Sequence, residues 1–293
     1  MVLAETRSTL NLPTSVASWL ESEGHGRVEE SHPVAGGCIN NGARLTTSSG
    51  DTFFLKQNAS APDLMFAREM DALRVLAVPE GPRVPIPYLY GNEFLLLEDL
   101  NPAVPSGDFW ERFGRQLAAL HSQVEQKFGF EDDNFIGSTP QPNPWTADGY
   151  EFFADHRLGY QAELALQQSL INRKDFREVL ALSSKLPQLV PEQPASLIHG
   201  DLWSGNAIAG PEGEPAIIDP AAHYGWAEAE LGMTNLFGGF PEAFYKSYEE
   251  THPLEDGWRD RLPIYNLYHL LNHVNLFGAG YLGQVRSILQ RFG

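Results

Sequence analysis

Asp201, Asn206 and Asp219 are residue types that can carry out phosphoryl transfer. Asn206 follows Asp201 by five residues in His199-Gly200-Asp201-Leu202-Trp203-Ser204-Gly205-Asn206, and Asp219 follows by eighteen in Ile217-Ile218-Asp219. The chemistry needs one carboxylate to accept the proton of an attacking hydroxyl. It also needs an amide and a second carboxylate to hold the Mg²⁺ ions that bridge nucleotide phosphates. The competing account is a hairpin whose His, Asp and Asn make only local turn bonds, since these are common turn residues. H-G-D with a later Asn does not by itself separate the two. An upstream half that matches does.

That half is built on Lys56, which ends the apolar run Phe53-Phe54-Leu55. A lone lysine there would be a surface side chain with a buried stem. The spacing predicts a helix over 62–77, with Met65, Met70, Leu73 and Leu76 on its buried face and Glu69 beside that face. A strand lysine paired to a glutamate on the next helix is how kinases position the α- and β-phosphates. Glu80, between Pro79 and Gly81, is the poorer partner.

Other elements must hold these groups in place. A short helix is expected near 12–20, capped by Thr14 or Ser15. Alternating apolar residues predict strands over 28–34, 42–46 and 52–57, and two more are read over 84–89 and 94–97, together an antiparallel five-stranded sheet. Between the first two strands lie Gly36, Gly37, Cys38, Ile39 and Asn40, where small residues let backbone amides close over phosphates. Glu98 and Leu100 sit in an expected inter-lobe connector, where backbone groups would meet an adenine edge. The expected lobes are 1–98 and 99–293. In the second, helices are predicted over 108–126, 150–170, 173–186, 241–250, 262–277 and 282–292, with a Pro/Gly/Asn-rich loop over 129–149 that Trp145 would anchor. Leu197-Ile198 and Ala216-Ile217-Ile218 read as short buried strands that deliver the two aspartates. The fold class is α+β and bilobal.

Composition excludes several alternatives. The 293 residues carry a formal net charge of −18, which argues against nucleic acid and anionic membrane partners. Mean hydropathy of −0.28 is that of an ordinary globular chain. The stretch 262–285 holds no charged residue but has two histidines and three asparagines, too polar for a spanning helix. The N-terminus shows no signal peptide pattern. Cys38 is the single cysteine, which excludes an internal disulfide and suits a reducing compartment, the cytoplasm. No G-x-x-x-x-G-K-[S/T], G-x-S-x-G or Ala-Pro-Glu occurs, which sets aside Walker-type enzymes, Ser hydrolases and loop-regulated protein kinases. His269 and His273 stand four apart without a third ligand and read as packing or rim residues.

The chain resembles the fructosamine kinase (ketosamine-3-kinase) family of the aminoglycoside-phosphotransferase-like branch of the protein-kinase-like fold. The resemblance runs from about residue 15 to the end. Its specific marks are Trp203-Ser204-Gly205 within the H-G-D-x-x-x-x-N motif, Tyr224-Gly225 with Glu228 and Glu230-Leu231, and Phe237-Gly238-Gly239-Phe240-Pro241. It implies ATP-dependent phosphorylation of the 3-hydroxyl of a ketosamine, with release of the amine afterwards. By that resemblance Asp201 is the base, Asn206 and Asp219 hold Mg²⁺, Lys56 holds phosphates and Glu69 fixes Lys56. Trp203 would stack on the sugar or amine. Tyr224 and Glu228 would line the acceptor site, with Glu228 facing a cationic amine. His199 would brace the catalytic loop. Cys38 is expected to be sensitive to oxidation, so the chain would be a monomer or a redox-linked dimer. The alternatives are a kinase of another small acceptor (aminoglycoside, choline, homoserine or thiosugar) and a nucleotide-binding protein without activity.

Overall fold

The computed structural model describes residues 12–34 and 41–293. The turn expected to cover phosphates, Gly36, Gly37, Cys38, Ile39 and Asn40, lies outside the described residues. Contacts divide the chain into one unit of Met1–Ala67 with Ile86–Leu100 and another of Arg68–Pro85 with Asn101–Gly293.

The first unit holds α1 (Thr14–Ser22) and the strands β1 (Val28–Val34), β2 (Asn41–Thr47), β3 (Thr52–Gln57), β4 (Pro87–Gly91) and β5 (Phe94–Glu98). They form the expected antiparallel sheet, in the order β1-β2-β3-β5-β4. Residues two apart point to one face of a strand, so Phe53 and Leu55 join Phe94 and Leu96 in the core. Val16 and Leu20, four apart on α1, cover them. Pro13, rather than Thr14 or Ser15, sits at the start of α1, with no side-chain cap. The fourth strand begins at Pro87 instead of residue 84. Pro85 and Pro87 lack the N–H a ladder requires, and Arg83 pairs instead in parallel with Ala216, inside the second unit.

Helix α2 (Met65–Leu76) is shorter than expected and straddles the division between units. Its Ala72 and Leu76 pack with Phe109, Phe113 and Leu117. Residues 68–85, on the first-lobe side of the expected 98/99 boundary, therefore count with the second unit.

That unit continues with α3 (Phe109–His121), β6 (Val124–Glu125), β7 (Asn134–Ile136), β8 (Thr139–Gln141) and α4 (Gly149–Phe153). A π-helical turn (Ala154–Gly159) leads into α5 (Tyr160–Gln167), α6 (Arg173–Ser183) and α7 (Leu186–Leu189). Then come β9 (Ala195–Ile198), β10 (Ala207–Ala209), β11 (Pro215–Ile217), β12 (His223–Gly225), α8 (Ala227–Leu236), α9 (Glu242–Thr251), α10 (Trp258–Phe277) and α11 (Leu282–Phe292). The helix expected to reach residue 126 stops at His121, because Val124 and Glu125 pair with Ser196 and Ala195 of β9. The 129–149 loop contains the β7–β8 hairpin. One core joins α3 and α9 through Phe113, Leu117, Phe244 and Tyr248. A second gathers Phe153, Ala162, Val179, Tyr265 and Leu270. Each fully buried Leu or Phe contributes roughly 1.5–3 kcal/mol. Among the described residues no helix is long and apolar enough to cross a membrane.

Candidate active site

Strand β9 is buried throughout and delivers His199-Gly200-Asp201 to its C-terminal end. Gly200 turns with φ +83°, and a Cβ there would stand 2.2 Å from the Ala221 carbonyl oxygen. Only glycine fits. Beyond it the chain closes on itself. The Asp201 carbonyl accepts from the Trp203 N–H at 3.2 Å and from Asn206 Nδ2 at 2.8 Å. Asn206 Nδ2 also lies 3.4 Å from Asp201 Oδ2. The short ladder of β10 and β11 sets Ala207 opposite Ile217, and the Ile218 N–H donates to the Asn206 carbonyl at 3.1 Å. Asp219 follows at once, with φ +59°. Register thus brings Asp201, Asn206 and Asp219 to one place. The Trp203 indole folds across Gly205, where a Cβ would lie 2.3 Å from the ring. The W-S-G pattern is thereby explained as one packed turn.

Two buried side chains hold this turn from behind. His199 Nε2 lies 2.9 Å from the Ile218 carbonyl, and its Nδ1 faces the Asp201 N–H at 3.3 Å. With Nδ1 accepting, Nε2 carries the proton and donates, so the ring ties the two aspartate-bearing segments together as expected. Glu230, on the first turn of α8, accepts the His199 N–H at 2.6 Å and the Gly200 N–H at 2.7 Å, one on each carboxylate oxygen. His121 approaches Oε2 at 3.3 Å, and His121 Nδ1 meets the Tyr248 hydroxyl at 2.7 Å. Glu230 was not among the expected site residues. Its one trace in the sequence is the second Glu of Y-G-x-x-E-x-E-L.

The two carboxylates have opposite electrostatics. Asp201 is only half-buried by area yet densely surrounded. Desolvation first, then the charges of Asp219 and Glu230, raise its carboxyl well above the usual range against the Asn206 hydrogen bond. Burial pushes Glu230 up too, but the His121 hydrogen bond, the charges of His121 and His199, and the His199 N–H bring it net below.

The segment after Asp219 is held by amides from the 129–149 loop. Asn134 donates to the Ala222 carbonyl at 2.8 Å and Gln141 to the Ala221 carbonyl at 3.0 Å. Arg157, in the π turn, donates to Asn143 Oδ1 at 2.7 Å, and Asn143 donates to Asn134 Oδ1 at 2.8 Å. Burial lowers the Arg157 pKa to about 10. Sequence reasoning missed this network, because a Pro/Asn-rich loop reads as solvent-facing.

The remaining expected residues are placed as follows. Lys56 on β3 and Glu69 on α2 are both buried, and neither lacks a partner. Burial of these charges fits structural pairing as well as phosphate chemistry. Glu98 ends β5 and accepts the Ile86 N–H at 3.2 Å, and Leu100 is buried. Tyr224 stacks against Phe130 and Trp145. Glu228 departs from the expectation that it faces a cationic amine. Its carboxylate is 2% exposed and already holds Arg261 at 2.7 and 2.9 Å and the Tyr265 hydroxyl at 2.9 Å. His273 Nδ1 bonds the His269 carbonyl at 2.7 Å, and burial lowers His269 to about 3.

Fold and site together define a kinase-type phosphotransferase. The fructosamine kinase family matches residues 13–292. A probable ketoamine kinase of Synechocystis sp. is 44% identical over 272 residues, covering 90% of each chain. A chloroplastic protein-ribulosamine 3-kinase of Oryza sativa subsp. indica is 39% identical over 288 residues, 94% of this chain and 83% of the relative. A solved structure from Thermobifida fusca, provisionally named a fructosamine-3-kinase, superposes with TM-score 0.86 at 31% identity, over 95% of this chain and 98% of the other. Phosphotransferases 12% and 16% identical share the fold alone. The chain belongs to the fructosamine kinase family, and its fold is the protein-kinase-like one.

Proposed function

We propose that this kinase transfers the γ-phosphoryl group of ATP to the 3-hydroxyl of a ketosamine, the sugar adduct of an amine such as a protein lysine. The observation that carries the reading is the meeting of Asp201, Asn206 and Asp219 at one turn, in a chain of this family. The ribulosamine 3-kinase name of the rice relative supports the choice of acceptor.

Asp201 accepts the proton of the sugar hydroxyl while its oxygen bonds to the γ-phosphorus. The bond to the β-phosphate oxygen breaks, and ADP leaves with that electron pair. A carboxylate held at the attacking hydroxyl suits this role. Asn206 and Asp219 offer the hard oxygen donors that Mg²⁺ prefers. Bound there, Mg²⁺ offsets charge on the transferred group.

In this reading Lys56 holds the α- and β-phosphates and Glu69 orients it. Backbone groups at Gly36–Asn40 cover the phosphates, and those at Glu98 and Leu100 meet the adenine. Trp203 stacks on the sugar, and Tyr224 lines the acceptor end. The 3-phosphate would then release the amine, a deglycation.

The test is ADP release with Mg-ATP over ribulose-lysine, fructose-lysine, choline, homoserine and kanamycin. Turnover on a ketosamine that vanishes in Asp201→Asn supports the reading. Turnover on another acceptor alone replaces the substrate and keeps the mechanism.

A further inference from the structure

A file of aromatic rings leads away from the catalytic turn. Trp203, two residues beyond Asp201, meets Phe237 edge-on with centroids 6.3 Å apart. Phe237 lies 5.0 Å from His273, which lies 5.4 Å from Phe277 and 4.9 Å from Tyr281. The path crosses from the catalytic loop over the end of α8 to the junction of α10 and α11, all within the second unit.

Tyr281 packs against the core of α10 and α11, but Phe237 and Phe277 belong to none of the core clusters. Of the two phenylalanines in Phe237-Gly238-Gly239-Phe240, Phe240 is 6% exposed among Trp110, Phe113 and Phe244. Phe237 stays outside that cluster, since Gly238 (φ +100°) and Gly239 (φ +73°) turn the chain between them. Phe277 is 52% exposed. In a chain of net charge −18, residues 262–285 carry no Asp, Glu, Lys or Arg, so the segment that supplies His273, Phe277 and Tyr281 is itself uncharged. His273 stays neutral at pH 7 because burial lowers its pKa. Neutral ring faces accept aliphatic stems, other rings and cationic nitrogen alike.

We infer that Phe237, His273, Phe277 and Tyr281 form a subsite for the amine side of the acceptor, selecting adducts whose amine carries an apolar or aromatic group beyond the nitrogen. The inference rests on the ketosamine reading and sharpens it. With the sugar on Trp203, the linking nitrogen and stem pass over Phe237. The file extends beyond one lysine side chain, so Phe277 and Tyr281 are left for residues flanking a glycated lysine in a peptide.

The experiment compares kcat/KM for two ribulosylated peptides, Ala-Phe-Lys-Phe-Ala and Ala-Ser-Lys-Ser-Ala, adducted only on the lysine with amino termini acetylated. The parent is expected to prefer the phenylalanine peptide by about ten-fold, the scale of one or two ring contacts. Phe277→Ala and Tyr281→Ala should each bring that ratio toward one. Phe277→Leu, which keeps bulk without the ring, should fall between. Leu180→Ala, an exposed apolar change on α6, should keep the parent ratio. Equal kcat/KM for the two peptides in the parent, or a ratio untouched by both alanine variants, overturns the subsite and leaves the kinase reading standing. Absence of turnover on both peptides and on free ribulose-lysine overturns the ketosamine reading and the subsite with it.

Discussion

Glu228 and Glu230 stand two residues apart on the first turn of α8, buried to the same degree, and they do different work. Glu230 points at backbone, and its two oxygens take the N–H groups of His199 and Gly200 just ahead of Asp201. Glu228 points at side chains, and its oxygens take Arg261 and Tyr265 of α10. Both gain from the positive end of the helix. One carboxylate shapes the catalytic turn, while the other fastens one helix to another. Sequence places both in a single motif, and only the geometry tells them apart.

The largest effect expected calibrates the turn itself. Asp201→Asn should lower kcat by about 10³-fold or more, within the range that removal of a positioned base produces. The same variant should melt higher than the parent at pH 7 without ligand. A carboxyl raised by folding is destabilising once ionised, so stability is lost as pH rises through its folded value. Calorimetry showing a lower Tm would break this account of Asp201.

Next comes Glu230→Gln, which cannot accept both N–H groups as an anion and should cost about 3 kcal/mol of stability. Steady-state assays at a temperature where it remains folded should still show kcat down by about ten-fold or more, because the loop carrying Asp201 has lost its brace. Unchanged kcat would erase the distinction between the two glutamates. Glu228→Ala should cost a similar amount of stability by stranding Arg261, which is 14% exposed. Its kcat at permissive temperature should stay within about three-fold of the parent's. Adding Arg261→Met should recover part of the lost Tm, since removing both charges costs less than stranding one.

The smallest effect is in pH. Glu230 is held below its unfolded value, so its contribution is complete above about pH 4.3 and lost as pH falls through the folded value. The Tm gap between parent and Glu230→Gln should narrow across that acid window and stay constant from pH 6 to 8.

Much of this was legible beforehand because it rests on local rules. Alternation over Thr52–Gln57 and the apolar run Phe94–Leu97 mark strands of a sheet, and the H-G-D-x-x-x-x-N spacing marks the catalytic turn. Misreadings fell where distant segments decide. Residues 122–126 continue a helical pattern, but Val124 and Glu125 pair with β9, and 84–86 read as the start of a strand that Pro85 and Pro87 delay to residue 87. Asn134 and Gln141 looked like loop polarity because their partners, the carbonyls of Ala222 and Ala221, are some eighty residues away.

The sequence alone determined the chemical inventory: an Asp, an Asn and a second Asp at kinase spacing, on short apolar strands, in an acidic chain with one cysteine. Spacing along a chain specifies which groups are available and which local turns they can make. It does not specify which buried carboxylate meets a backbone N–H and which meets a guanidinium. It also leaves open which aromatics enter the core and which stay at the surface beside the catalytic turn. Tertiary packing decided those, because a desolvated polar group must find its partner wherever the fold brings one within hydrogen-bond distance.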